Sequence, residues 1–185
     1  MTMKRVVIFL LAVICSTTIY AQNKGDKYIG GTIGVSTTTY ILDGESSAGI
    51  SLAIQPEFGY FVANNFKIGA SLGYSYNSNA HVIALTPNLA YYVKVCDNLY
   101  YTPGVDVGFV LGVSDGVAMP GFSVSASLGR FEFKPKPKFG ISVDILSFSY
   151  VSLTYRDKYS DIKFTTNRLN FNFIVNPTVS IKYYF

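Results

Sequence analysis

The chain has 185 residues, of which 14% are charged and 16% aromatic, all Tyr and Phe, with a formal net charge of +4. Soluble domains carry roughly 25% charge, so an ordinary solvated surface is excluded. No basic block marks a nucleic-acid partner.

In chain order, Lys4 and Arg5 make a positive start, Val6 to Tyr20 is an apolar run, and Ala21 offers a small residue for cleavage. That layout predicts a secretory signal peptide over 1–21, with 22–185 as one domain. Ile14 stands where a lipid-attachment motif at Cys15 needs a small residue, so a lipoprotein is not expected. Losing Lys4 and Arg5 lowers the net charge from +4 to +2, and Cys96 becomes the one remaining cysteine, without a disulfide partner.

Period-two alternation then recurs, which predicts strands rather than helices. Eight segments read this way: Lys27–Ser36, Ser47–Val62, Asn65–Asn77, Ala80–Val95, Asn98–Gly112, Gly121–Lys134, Phe139–Arg156 and Leu169–Phe185. In the third, Phe66, Ile68, Ala70, Leu72, Tyr74 and Tyr76 alternate with Lys67, Gly69, Ser71, Gly73 and Ser75. In the last, the odd positions from Leu169 to Phe185 are all apolar, enough to cross a bilayer as one tilted strand. Ala63-Asn64-Asn65, Cys96-Asp97 and Pro135-Lys136-Pro137 read as tight turns. Thr37–Ser46, Asn77–Asn79, Val113–Pro120 and Asp157–Thr166 read as more variable loops. Short turns on one side and longer loops on the other predict an eight-stranded antiparallel up-and-down transmembrane β-barrel, short side periplasmic. A soluble barrel carrying a ligand shares the alternation. The polar face is Gly, Ser, Thr and Asn, which suits a crowded lumen, and Tyr60, Phe61, Phe66, Tyr91, Tyr92, Tyr100, Tyr101, Tyr183 and Phe185 near strand ends suit an interfacial girdle. Against the ladders stand Pro56, Pro87, Pro103 and Pro177, each removing one hydrogen bond.

The ending Ser180-Ile181-Lys182-Tyr183-Tyr184-Phe185, with Asn65-Phe66-Lys67-Ile68-Gly69-Ala70-Ser71-Leu72-Gly73-Tyr74 and Thr86-Pro87-Asn88-Leu89-Ala90-Tyr91-Tyr92, resembles the small Gram-negative outer-membrane β-barrel domain proteins of the porin family, OmpA/OmpX-like. The resemblance implies an outer-membrane location, outer-membrane lipid as surroundings, and recognition by the barrel-assembly machinery. Val179, Ile181, Tyr183 and Phe185 are then the assembly signal. It also implies that a proline at position 87 is tolerated.

Chemistry is sparse. His81 is the sole histidine, and Ser75, Ser78 and Asp115 are conceivable partners, yet no spacing singles out a triad. One His and one Cys supply no recognisable metal set, so no catalytic, cofactor or metal site is expected. By parity, Glu57, Lys67, Lys94, Asp106, Asp144 and Lys182 point into the lumen. Eight strands leave an interior just wide enough for side chains, so these charges are expected to form one paired network that plugs the barrel. The expectation is a non-enzymatic outer-membrane protein with a structural or surface-contact role, its external partner unidentified. A narrow channel for ions or small solutes is the alternative, and a lipid-modifying enzyme comes after it.

Overall fold

The computed structural model describes residues 22–42, 45–77, 80–114, 116–156 and 163–185; the expected signal peptide lies outside them. Eleven β-segments form one antiparallel sheet: β1 (Lys27–Leu42), β2 (Glu45–Ala63), β3 (Phe66–Asn77), β4 (Ala80–Tyr91), β5 (Val93–Cys96), β6 (Leu99–Tyr101), β7 (Gly104–Ser114), β8 (Val117–Ser127), β9 (Arg130–Lys136), β10 (Phe139–Arg156) and β11 (Lys163–Tyr184). Short breaks at Tyr92, at Thr102-Pro103 and at Leu128-Gly129 split three staves, so the eleven segments make eight passes. Pairing runs β1-β2-β3-β4-β7-β8-β10-β11, and β11 returns to β1, which closes an eight-stranded ring.

The tight turns fall where expected. Asn65 and Asn98 sit at their corners with φ 66 and 65, a left-handed conformation that Asn tolerates. At the other end the expected loops shrink. The β1–β2 ladder continues to Leu42 opposite Glu45, and the β10–β11 ladder to Arg156 opposite Lys163. β-branched runs such as Thr37-Thr38-Thr39 extend the hairpins where a loop is expected.

The prolines sit where ladders are interrupted. Pairing between β2 and β3 skips from Ile54 to Glu57, passing over Pro56, and pairing between β4 and β7 skips from Leu85 to Asn88, passing over Pro87. Pro103 lies in the gap between β6 and β7, and Pro177 lies in β11 above its last pairing to β1. Each missing N–H therefore falls at a position that donates to no neighbour on that side.

Side-chain direction follows period two and sets the polarity of the barrel. Ile33, Leu72, Val107, Phe109 and Ile181 are all exposed, Phe109 at 77%, whereas Lys67, Ser71, Ser142, Ser180 and Lys182 are buried. A barrel that hides its lysines and serines and displays its Ile, Leu and Phe is built for a hydrocarbon surrounding. The girdle expectation needs correcting. Tyr91, Tyr183 and Phe185 do face outward, but Phe61 and Tyr92 are fully buried, and Tyr100 packs against them. Phe61 shares the parity of Glu57, and Tyr92 that of Asn88, so both turn inward.

Val179 and Ser180 separate the two faces within one peptide. Val179 is exposed; Ser180 is buried, its Oγ 2.6 Å from Thr32 Oγ1. Val179→Arg is expected to cost about 2–4 kcal/mol in lipid if it lies near the midplane, while Ser180→Arg fails by crowding. Folding titrations into phosphatidylcholine vesicles compare them directly; indifference at 179 would mean that the barrel is inside out.

Candidate functional site: the barrel interior

The interior has two levels. At the short-turn end, periplasmic in barrels wired this way, Tyr28, Phe61, Ala90, Tyr92 and Tyr184 form the one cluster of buried apolar residues. Rings meet at 5.3 Å between Tyr28 and Tyr184 and at 5.0 Å, edge to face, between Phe61 and Tyr92. Such tilted contacts align ring edges with ring faces.

Two ion pairs are set into this aromatic layer. Lys67 Nζ lies 2.5 Å from Glu57 Oε1 and donates to Tyr28 Oη at 2.8 Å, while Tyr28 Oη donates to Glu57 at 2.6 Å. Lys182 Nζ lies 2.7 Å from Glu132 Oε2. Glu132, fully buried, also accepts from Ser142 at 3.1 Å, from Tyr92 at 3.2 Å and from Tyr184. Four donors on one carboxylate supply what a buried charge needs in place of water. Lys182 stands 5.2 Å from the Tyr28 ring centroid, which links the two pairs. Lys134 lies 3.5 Å above the Tyr184 ring on the periplasmic side, a cation–π contact.

Above this layer is an internal cavity of about 370 Å³. Its lower wall carries Arg130 against Asp144 at 3.2 Å, with Arg130 also donating to Ser127 at 2.6 Å. Asp106 accepts from Ser125 at 3.1 Å. Serines and threonines line much of the rest, including Ser75, Ser123, Ser147 and Thr178.

Of the six expected lumen charges, Glu57, Lys67 and Lys182 therefore meet in the aromatic layer, and Asp106 and Asp144 lie higher, as separate contacts. Lys94 does not join them. It pairs with exposed Asp97 at 3.0 Å, and that hydrogen bond holds its ammonium above the ordinary value. The reason is positional: β3 and β4 last pair at Phe66 and Tyr91, and β5 beyond them pairs with β6 alone among the described residues. Parity alone does not keep a side chain inside once its strand has left the ring.

Arg130, Glu132 and Lys134 were not expected in the interior. Parity carried from Ser123, Ser125 and Ser127 places them outside, but the backbone N–H groups of Leu128 and Gly129 both donate to Leu146 O at 2.9 Å. That bulge puts two residues opposite one and reverses the facing of everything after it. The sequence signal was the Leu128-Gly129 interruption followed by charges at 130, 132 and 134.

His81 is exposed on the outer face, its Nδ1 2.9 Å from Tyr74 Oη and its ring 5.1 Å from Tyr76. Ser75 lines the cavity on the opposite face; Ser78 and Asp115 lie outside the described residues. Cys96 is exposed in the β5–β6 hairpin.

No family model matches the chain, and no curated protein matches it in sequence. Solved structures do. Neisserial surface protein A is similar over 86% of this chain and 97% of its own, with a TM-score of 0.53 and 9% identity. The N-terminal β-barrel domain of Pseudomonas aeruginosa OprF is similar over 89% of this chain and 100% of its own, with a TM-score of 0.50 and 12% identity. The chain has the outer-membrane β-barrel fold. At these identities the likeness is one of architecture, and the interior has to be interpreted from its own residues.

Two changes probe the buried layer. Lys182→Met leaves Glu132 charged and unmatched, at an expected cost of about 3–5 kcal/mol, while Lys182→Met with Glu132→Leu should recover most of it. A Cβ at Gly59 would land inside the Tyr28 ring, so Gly59→Ala should cost about 1–3 kcal/mol through overpacking. Urea titrations in lipid report both. Equal stability of the single and double Lys182 variants would argue for a hydrated layer.

Proposed function

We propose that this chain is an integral outer-membrane protein of a Gram-negative cell, non-enzymatic, closed at its periplasmic end and acting through envelope structure or through contacts of its outer hairpins. The observation that carries this reading is the buried layer: Tyr28, Phe61, Tyr92 and Glu132 are each at most 1% exposed. Eight staves enclose little more than side chains, and here aromatic rings and two ion pairs occupy that section. A charge buried with all its partners in place resists hydration and movement.

Insertion would rest on the barrel-assembly machinery reading Val179, Ile181, Tyr183 and Phe185, all exposed on the outer face. Deleting Phe185 is expected to lower the assembled, heat-modifiable form while export across the inner membrane continues. Normal outer-membrane levels of the truncated chain would count against that recognition.

A narrow channel is the second reading, favoured by the polar cavity above the layer. Planar-bilayer conductance with Glu57→Gln and Asp106→Asn separates the two. The closed reading expects negligible current from the parent protein and marked destabilisation by Glu57→Gln, whose partner Lys67 is then left buried and unpaired. Steady current that changes with either variant, at little cost in stability, would replace the closed barrel with a pore.

A further inference from the structure

The ring is not closed along its full height. β1 pairs with β11 at six positions, from Tyr28 opposite Tyr184 to Ile33 opposite Val179. Both strands continue, β1 to Leu42 against β2 and β11 down to Lys163 against β10, but among the described residues they pair with each other no further. Six rungs fall short of the nine to eleven residues a tilted strand uses to cross a bilayer. The flanks of the gap are lipid-facing, since Val35 on β1 and Leu169, Phe171 and Phe173 on β11 are all exposed apolar residues. A slot therefore opens in the wall at the depth of the outer leaflet.

Two backbone features hold it open. Continuing the same register would set Pro177 opposite Val35, and Pro177 has no N–H to give. Beside it, β11 shifts against β10: Asp144 pairs with Thr178 but Leu146 pairs with Phe173, so residues 174–177 face Ile145 alone. That surplus carries β11 out of line where it would otherwise meet β1.

The slot adjoins the cavity, because Thr32 and Thr178 at its base also line that space. Unpaired edges in hydrocarbon are costly unless they border a polar space. The cavity holds room for about a dozen waters or one sugar-sized group. Its chemistry selects a donor. Asn88 and Asp144 line it, are more than nine-tenths buried, and each has a side-chain Oδ1 with no hydrogen-bond partner. Asp106 has a serine hydroxyl but no ion pair among the described contacts, while Arg130 is engaged by Asp144. Three acids, Glu57, Asp106 and Asp144, face one arginine there, and Glu57 is matched by Lys67 below. The excess is negative, so an anionic head is repelled, whereas hydroxyl groups would satisfy the orphaned acceptors.

We propose that the cavity is a head-group site for a single-chain amphiphile with an uncharged, hydroxyl-rich head, entering between β1 and β11 with its alkyl chain left in the slot. This goes beyond the closed barrel but rests on it, since a sealed floor is what makes the cavity a terminus.

The test uses the full barrel with Cys96→Ala in phosphatidylcholine nanodiscs, and dodecyl glucoside carrying a photoreactive diazirine in its chain. Saturable labelling is expected at residues 33–35 and 169–173, competed by unlabelled dodecyl glucoside. A Cβ at Gly34 would lie 3.8 Å from Thr178 Cγ2, so Gly34→Cys with Thr178→Cys can be joined across the base of the slot. Oxidation should cut labelling about tenfold, equivalent to about 1.4 kcal/mol, and reduction of the same folded sample should restore it. Labelling spread around the whole apolar exterior, as diazirine phosphatidylcholine gives, or labelling indifferent to the disulfide, would overturn the site. Equal labelling by a diazirine fatty acid would overturn the head-group assignment. Conductance recorded on the same protein keeps the outcomes separate, since current through the floor defeats the closed barrel whatever the slot labelling shows.

Discussion

A backbone N–H or C=O placed in hydrocarbon has no water to fall back on, and each one left unpaired costs several kcal/mol. That constraint shapes everything else here. It requires the first stave to find the last, which the six β1–β11 rungs and the paired bonds between Lys27 and Phe185 achieve at 3.2 and 2.9 Å. It also governs the prolines, which sit at interruptions of a ladder rather than within intact ones. Where the closure stops, at Ile33 and Val179, the two edges border a polar cavity instead of open lipid.

Closing the ring turns one face of every strand inward, and polarity is then decided by confinement. An interior serine or lysine has no bulk solvent, so its partners must come from neighbouring staves. Glu132 shows the consequence, collecting donors from Tyr92, Ser142, Lys182 and Tyr184, residues far apart in the chain. The aromatic rings around these pairs exclude water and lower the local dielectric, which strengthens a complete network and penalises an incomplete one. The same crowding restricts the backbone: Gly59 is required because the Tyr28 ring occupies the space of its side chain.

Much of this was legible from alternation. Strands, staves, the three tight turns and the inward facing of Glu57, Lys67, Asp106, Asp144 and Lys182 follow from period two, because neighbouring strand side chains point to opposite faces. Parity was less dependable for Lys94, since it describes facing and not whether the strand is still part of the ring. Phe61 and Tyr92 looked like girdle residues because both stand near strand ends, although their parity with Glu57 and Asn88 already turned them inward. Arg130, Glu132 and Lys134 were hidden by the bulge at Leu128-Gly129, where one extra residue exchanges inside for outside.

The amino-acid order by itself determined the number of passes, their tilt-length and the separation of an apolar exterior from a polar interior, because these depend on local spacing alone. Only the tertiary structure decided which charges meet, since Lys182 and Glu132 are brought together by ring closure and a bulge across 50 residues of chain. It alone decided where the wall stops short of closing, because the end of the β1–β11 ladder depends on the register of two strands from opposite ends of the sequence. Facing is a property of one strand; pairing is a property of two.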